Sequence, residues 1–262
     1  MKLVLNILLV DLIFVVFIAS TTHAQFREQP QQKSSWSVGI EGSYLKNTQS
    51  GSFRTDCGCG PYKDGKGNTG LGDVFAEFTL GDRFTIGLRS GLDSKSVTST
   101  IPMRDSAALR VVKGTRDTVM IVTFDQNAIA ELKFSYYFLS PYVRVFPFTE
   151  GLFVTVGAQF GFLTGSNLKY SRTIVPPGPF PGAHYPDGTN SETLQNGVVA
   201  GARSLRVSAL LSAGYELEVL SKLSTFVAAT YDMPFTEVSD GPEISGVKIS
   251  SVLVTLGVKY GL

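Results

Sequence analysis

From Trp36 onward, apolar and polar residues alternate with a period of two, the pattern of a strand with unlike faces. In the first strand Trp36, Val38, Ile40, Gly42 and Tyr44 share one face, and Ser37, Gly39, Glu41 and Ser43 the other. A second strand covers about 71–80, with Val74, Ala76 and Phe78 opposite Asp73, Phe75 and Glu77. After a tight turn at Gly81 and Asp82, a third sets Phe84, Ile86, Leu88, Ser90 and Leu92 against Thr85, Gly87, Arg89 and Gly91. The fourth carries Ala128, Ala130, Leu132, Phe134, Tyr136 and Phe138 on one parity. After Pro141 its apolar set moves to Val143 and Val145, with Arg144 opposite. Such a slip is what a bulge produces, and proline is tolerated at bulges, so the reading is one bulged strand rather than two. A fifth strand starts at Leu152, a sixth holds Leu205 to Val219, a seventh Leu223, Val227, Ala229 and Tyr231, and an eighth the closing VLVTLGVKYGL.

The connections add a second pattern. Those after the second, fourth and sixth strands are a few residues each. Those after the first, third, fifth and seventh are long: 46–70, 94–127, 164–204 and 234–247. Transmembrane barrels segregate loops this way, with short turns on the periplasmic side and long loops outside; a soluble sandwich has no such requirement.

Composition agrees. Charged residues make up 17% and hydrophobic ones 43%, aromatics reach 11%, and glycine is abundant at 27; mean hydropathy is +0.13. After residue 24 no apolar run is long enough for a helical span. A net charge of +1 offers nothing to nucleic acid. The start reads as a secretory leader: a basic Lys2, an apolar stretch over 3–18, and small residues at Thr22 and Ala24, for cleavage after Ala24. Asp11 interrupts the apolar stretch; a retained anchor is the alternative. The domains expected are a signal peptide at 1–24, a flexible lead-in at 25–35 and a barrel at 36–262.

The alternating strands, the loop segregation, the leader and the closing strand together resemble the small eight-stranded outer-membrane barrels of the OmpA/OmpX type. The resemblance implies an all-β fold: an eight-stranded antiparallel up-and-down transmembrane barrel in the outer membrane of a Gram-negative-type cell. It also implies contact with outer-membrane lipid, and recognition of the C-terminal strand by the barrel-assembly machinery. Family members commonly end on an aromatic residue, whereas here Gly261 and Leu262 follow Tyr260. The last strand is expected to close against the first, because an unpaired edge in lipid is prohibitively costly.

By parity, the charged residues expected inside are Glu41, Asp73, Glu77, Arg89, Glu131, Lys133, Arg144, Arg206, Glu216, Glu218, Asp232 and Lys259. Eight strands enclose just enough room for side chains, so mixed charges there are expected to pair and plug the lumen. Trp36, Phe84 and Tyr260 are expected to form an inner aromatic girdle, and Tyr44, Phe162 and Tyr231 an outer one. Cys57 and Cys59, in the first long connection, are candidates for a local disulfide or a link to a partner; two such ligands are too few for a closed zinc site. After the leader there is one histidine, His184, in a Pro/Gly-rich loop with no partner to make it catalytic. No catalytic, cofactor or metal site is read from the sequence. The segments 108–112 and 118–124 read as a projecting hairpin, and Pro176, Pro177, Pro179, Pro181 and Pro186 stiffen the third long loop. The expected role is structural or adhesive, through loops recognising a surface ligand that the sequence does not name. A narrow solute channel is the alternative, and a lipid-modifying enzyme the third reading.

Overall fold

The computed structural model describes residues 35–55, 61–113, 116–148, 151–175, 178–179 and 183–262. The leader, Cys57, Cys59, Pro176, Pro177, Phe180 and Pro181 lie outside these residues. The strands are β1 (Ser35–Ser50), β2 (Lys66–Leu80), β3 (Phe84–Lys113), β4 (Arg116–Val145), β5 (Leu152–Ile174), β6 (Ser191–Gly197), β7 (Leu205–Leu220), β8 (Leu223–Pro234) and β9 (Lys248–Gly261). All pairings are antiparallel, and β9 pairs with β1 from Val38↔Tyr260 to Ser50↔Lys248. Eight strands therefore close into a ring, with β6 attached to the upper part of β5. Closure removes every strand edge at membrane depth, which is what a bilayer demands.

One end of the ring carries the short connections, from β2 to β3, β4 to β5 and β7 to β8. At the other end the segment 94–127, expected as a loop, is a correction. Its described residues, 94–113 and 116–127, continue β3 and β4, each 30 residues long. Their register runs unbroken from Phe84↔Val145 to Lys113↔Arg116. The expected hairpin exists, but as an extension of barrel strands, and β6 was not anticipated.

The bulge expected near Pro141 is also corrected. Leu88 pairs with Pro141 in regular register. The ladder to β5 skips Ser140 and Pro141, as a residue without an N–H requires. The irregularity sits higher, where Ser135 pairs with Gly165 but Tyr136 with Leu163. Even-numbered residues of β4 face inward along the whole described run, from Phe124 and Ala128 to Tyr142 and Arg144. Their environment changes rather than their direction. Low on the strand the outer face meets lipid, so Val143 is apolar and exposed. Higher up the outer face meets water, and the inner face carries Ala128, Ala130, Leu132 and Phe134, all fully buried. The same inversion occurs in β1, where outward Tyr44 is followed by buried Leu45 and outward Lys46.

The lower exterior is an apolar belt that includes Val38, Ile40, Val74, Ile86, Leu88, Leu211, Val254 and Leu256, all exposed. A continuous belt of this kind far exceeds the apolar patch a soluble surface carries. Inside, four aromatic side chains lie over four glycines paired with them across the ladder: Phe75 over Gly39, Tyr142 over Gly87, Phe153 over Gly214 and Phe226 over Gly257. Each outer hairpin supplies one such pair. The absent glycine side chain makes the space its aromatic partner fills.

Candidate functional site

The lumen is filled in layers. Nearest the short turns, Arg144 and Lys259 alternate with Glu77 and Glu216. Arg144 Nη1 lies 3.0 Å from Glu77 Oε1 and 3.2 Å from Glu216 Oε2. Lys259 Nζ lies 3.3 Å from Glu77 Oε2 and also contacts Glu216. The Tyr142 hydroxyl donates to Glu77 Oε1 at 2.8 Å. The Arg144 guanidinium sits 4.3 Å from the Phe153 ring centroid and 5.1 Å from that of Phe226. Both carboxylates thus touch both cations, and the layer is neutral.

Above it, Arg89 Nη1 contacts Glu41 Oε1 at 3.3 Å, and its guanidinium lies 4.3 Å from the Tyr142 ring. Asp73 faces Glu41 across the β1–β2 ladder. Higher still, Lys95 bridges Asp93 at 3.2 Å and Asp232 at 2.8 Å, and Arg206 meets Asp232 at 2.7 Å. Lys95 also donates to Ser251, Ser251 to Asn47, and Gln159 to Asp93.

Over this layer sits an apolar core of Val97, Ala130, Leu132, Phe134, Leu168 and Tyr170, closed from above by Phe53, Tyr62, Val199, Val238, Ile244 and Val247 from the connections. Phe53 stacks on Tyr62 with ring centroids 5.1 Å apart. The outer end of the lumen is thus filled by packed side chains.

Ten of the twelve charged residues expected inside project to the lumen or its inner rim. Glu131 and Lys133 do not: they project outward into water and are exposed. Parity was judged there from the apolar set, and that set faces inward above the membrane. Glu218 shares the parity of Glu216 but lies beside the 221–222 turn and is exposed. Asp93, Lys95, Tyr142 and Gln159 were missed. Asp93 and Lys95 continue the inward alternation of Arg89 and Gly91, so extending the third strand beyond Leu92 would have found them. The girdle residues Trp36, Tyr44, Phe84, Phe162, Tyr231 and Tyr260 all project outward and are exposed. Trp36 packs against Phe78 at 5.0 Å, and Phe162 is paired with Tyr137, a further outward aromatic.

Outside the membrane, β3, β4, β5 and β6 form a wall taller than the rest of the barrel, since β2 reaches no farther than the Lys66↔Thr98 pair. Loop three folds against the hairpin. Ala183 and Tyr185 pack on Ala107, Leu109 and Phe124, the Tyr185 hydroxyl donates to Gln126 at 3.0 Å, and burial pushes that hydroxyl's pKa up to about 12. His184 takes part through its carbonyl, which accepts from the Arg110 N–H at 2.8 Å. Beyond this contact the hairpin exposes Val119, Met120 and Ile121, the last at 81%. Among the described residues no group of three or more His, Cys, Asp or Glu is placed to hold a metal ion.

A charged interior within an apolar exterior, closed by eight strands, defines a transmembrane β-barrel of the small, filled kind. This is the fold that the sequence resemblance implied. No protein-family model and no curated protein sequence matches the chain. Solved structures do. The attachment invasion locus protein Ail of Yersinia pestis, in complex with the heparin analogue sucrose octasulfate, is similar at 10% identity and a TM-score of 0.34, over 87% of this chain and 99% of that one. Neisserial surface protein A is similar at 12% and 0.33, over 87% and 99%. The N-terminal β-barrel domain of Pseudomonas aeruginosa OprF is similar at 11% and 0.33, over 88% and 100%. The closed strand pairing and the apolar belt make this chain a transmembrane barrel.

Proposed function

We propose that this chain is an outer-membrane surface protein that works through the wall and loops outside the bilayer, by binding a partner there, rather than by passing solutes. The observation that carries this reading is the filled lumen: paired charges below and a packed apolar core above. The exposed Val119, Met120 and Ile121 on the hairpin, with Leu194 on β6, add apolar contact area where the protein meets the outside. Rigid scaffolds with projecting loops suit recognition. On the same reading the leader is removed after Ala24, and the barrel-assembly machinery reads the terminal strand.

Two measurements test it. Single-channel recording of the refolded mature barrel in a planar bilayer is expected to be silent; steady openings would overturn the reading in favour of a channel. Cells displaying the protein are expected to bind a panel of immobilised serum and matrix proteins, and to lose that binding when the hairpin is cut back to a turn joining Pro102 to Asn127. Retained binding by a correctly inserted, shortened barrel would place the contact elsewhere.

A further inference from the structure

The middle layer of the lumen is short of one positive charge. Glu41 and Asp73 are paired residues on neighbouring strands, and both side chains face inward. Each residue is 7% exposed. Neither carboxylate oxygen of Asp73, nor Oε2 of Glu41, has a hydrogen-bond donor. Directly opposed residues of an antiparallel pair hold their Cβ atoms about 5 Å apart, and like charges placed so are destabilising.

Among the described residues the surroundings offer no further cation. Arg89 on β3 reaches Glu41 Oε1 through Nη1 and lies over the Tyr142 ring of β4, while its Nε has no partner, so one guanidinium serves this layer. The strand beyond Asp73 presents Gly91, and the strand beyond Glu41 presents Gly257, so neither flank carries a donating side chain. The neighbouring layers have nothing to lend. Glu77, lower on β2, is held by Arg144 and Lys259, while Asp93, higher on β3, is held by Lys95 and Gln159. Those layers balance two carboxylates with two cations each. This one sets two carboxylates against one guanidinium.

An unpaired charge buried in a plugged lumen is costly unless a counter-charge joins it. We propose that Glu41 and Asp73 form an internal site for one small monovalent cation, a proton or an alkali ion, held between the two carboxylates. The glycines on either side leave these carboxylates as the cation's ligands, and the full layers above and below keep it there. This site is independent of what the outer wall binds.

The test uses the mature barrel folded in lipid nanodiscs and labelled at the aspartate carboxyl carbons. The Asp73 signal is identified by its loss in Asp73→Asn and by sequential assignment in the wild type, so a variant that fails to fold does not halt the experiment. Spectra are taken from pH 5 to 8 in choline chloride, and then at fixed pH as choline is exchanged for sodium or potassium. A signal at the protonated-acid position anywhere in this range that ignores the alkali ions identifies a proton. A signal that moves saturably with sodium or potassium identifies an alkali ion. An ionised signal that neither acid nor alkali ion shifts would overturn the site. Unfolding gives a second readout. Asp73→Asn, which removes the surplus charge, is expected to unfold at a denaturant midpoint equal to or above that of the wild type. A fall comparable with that of Arg144→Met would show Asp73 to be an ion-pair partner and would equally overturn it.

Discussion

The ring of Tyr142 on β4 lies directly over Gly87, its paired residue on β3, and fills the space a side chain there would take. The same hydroxyl reaches Glu77 on β2, so one aromatic residue joins three strands. Gly87→Ala is expected to push the ring off this seat and break its bond to Glu77. The cost is about 1–3 kcal/mol, the usual range for overpacking. Urea unfolding in lipid vesicles, followed by gel mobility of unboiled samples, measures it. A Gly87→Ala/Tyr142→Phe double variant is expected to lose less than the sum of the singles, because both act on that bond.

Arg144 is fully buried between two carboxylates and two aromatic rings. Arg144→Met keeps most of the volume but leaves Glu77 and Glu216 with Lys259 as their one cation. Breaking a buried network by removing one partner costs about 3–5 kcal/mol. The heat-modifiable band is expected to convert at a lower temperature in this variant. Glu131→Gln or Lys133→Met, both on the outer face, are expected to change it little, since exposed charges contribute about 0–1 kcal/mol.

The outer apolar core predicts a contrast in opening. Phe134→Ala removes a fully buried ring from beneath Phe53 and Tyr62. It is expected to cost about 3–5 kcal/mol, as large-to-small core changes do. The barrel is still expected to stay silent in a planar bilayer, because the Lys95, Asp93, Asp232 and Arg206 layer lies below that core. Openings in this variant would show that the apolar cap, not the charged layers, closes the lumen.

The belt has its own test. Leu256 lies on β9, two residues from Val258 and 67% exposed. Leu256→Arg is expected to cost about 2–4 kcal/mol if this position lies near the bilayer midplane. Ile121→Arg, on the hairpin outside, is expected to leave stability unchanged. Equal effects would remove the distinction between a lipid-facing and a water-facing exterior.

Acid is expected to loosen one outer turn. The Thr189 N–H donates to Asp187 Oδ1 at 2.9 Å and its hydroxyl at 2.8 Å, which lowers the carboxyl's pKa below the ordinary value. A depressed folded pKa stabilises the turn above the free-carboxyl value of about 4, and that contribution is lost as pH falls through the folded value. The Thr189 amide resonance should shift at that lower pH, and Asp187→Asn should abolish the shift.

The eight strands of the ring, their direction and the short turns were legible in the chain, because they depend on local alternation and turn residues. The lipid-facing set of β1, β2, β3, β5, β7, β8 and β9 was legible for the same reason: side chains alternate, and lipid demands apolar ones. What the alternation could not carry was the level at which lipid ends. Glu131 and Lys133 occupy the parity of Val143 and Val145, and nothing local says that water rather than hydrocarbon lies outside them. Asp93 and Lys95 were hidden by the same boundary, since the lipid-facing pattern of the strand stops at Leu92. The pairing of particular charges, such as Lys95 on β3 with Asp232 on β8, was decided by the closed ring alone. Closure brings residues far apart in sequence to one depth, and the narrow lumen then selects which of them touch.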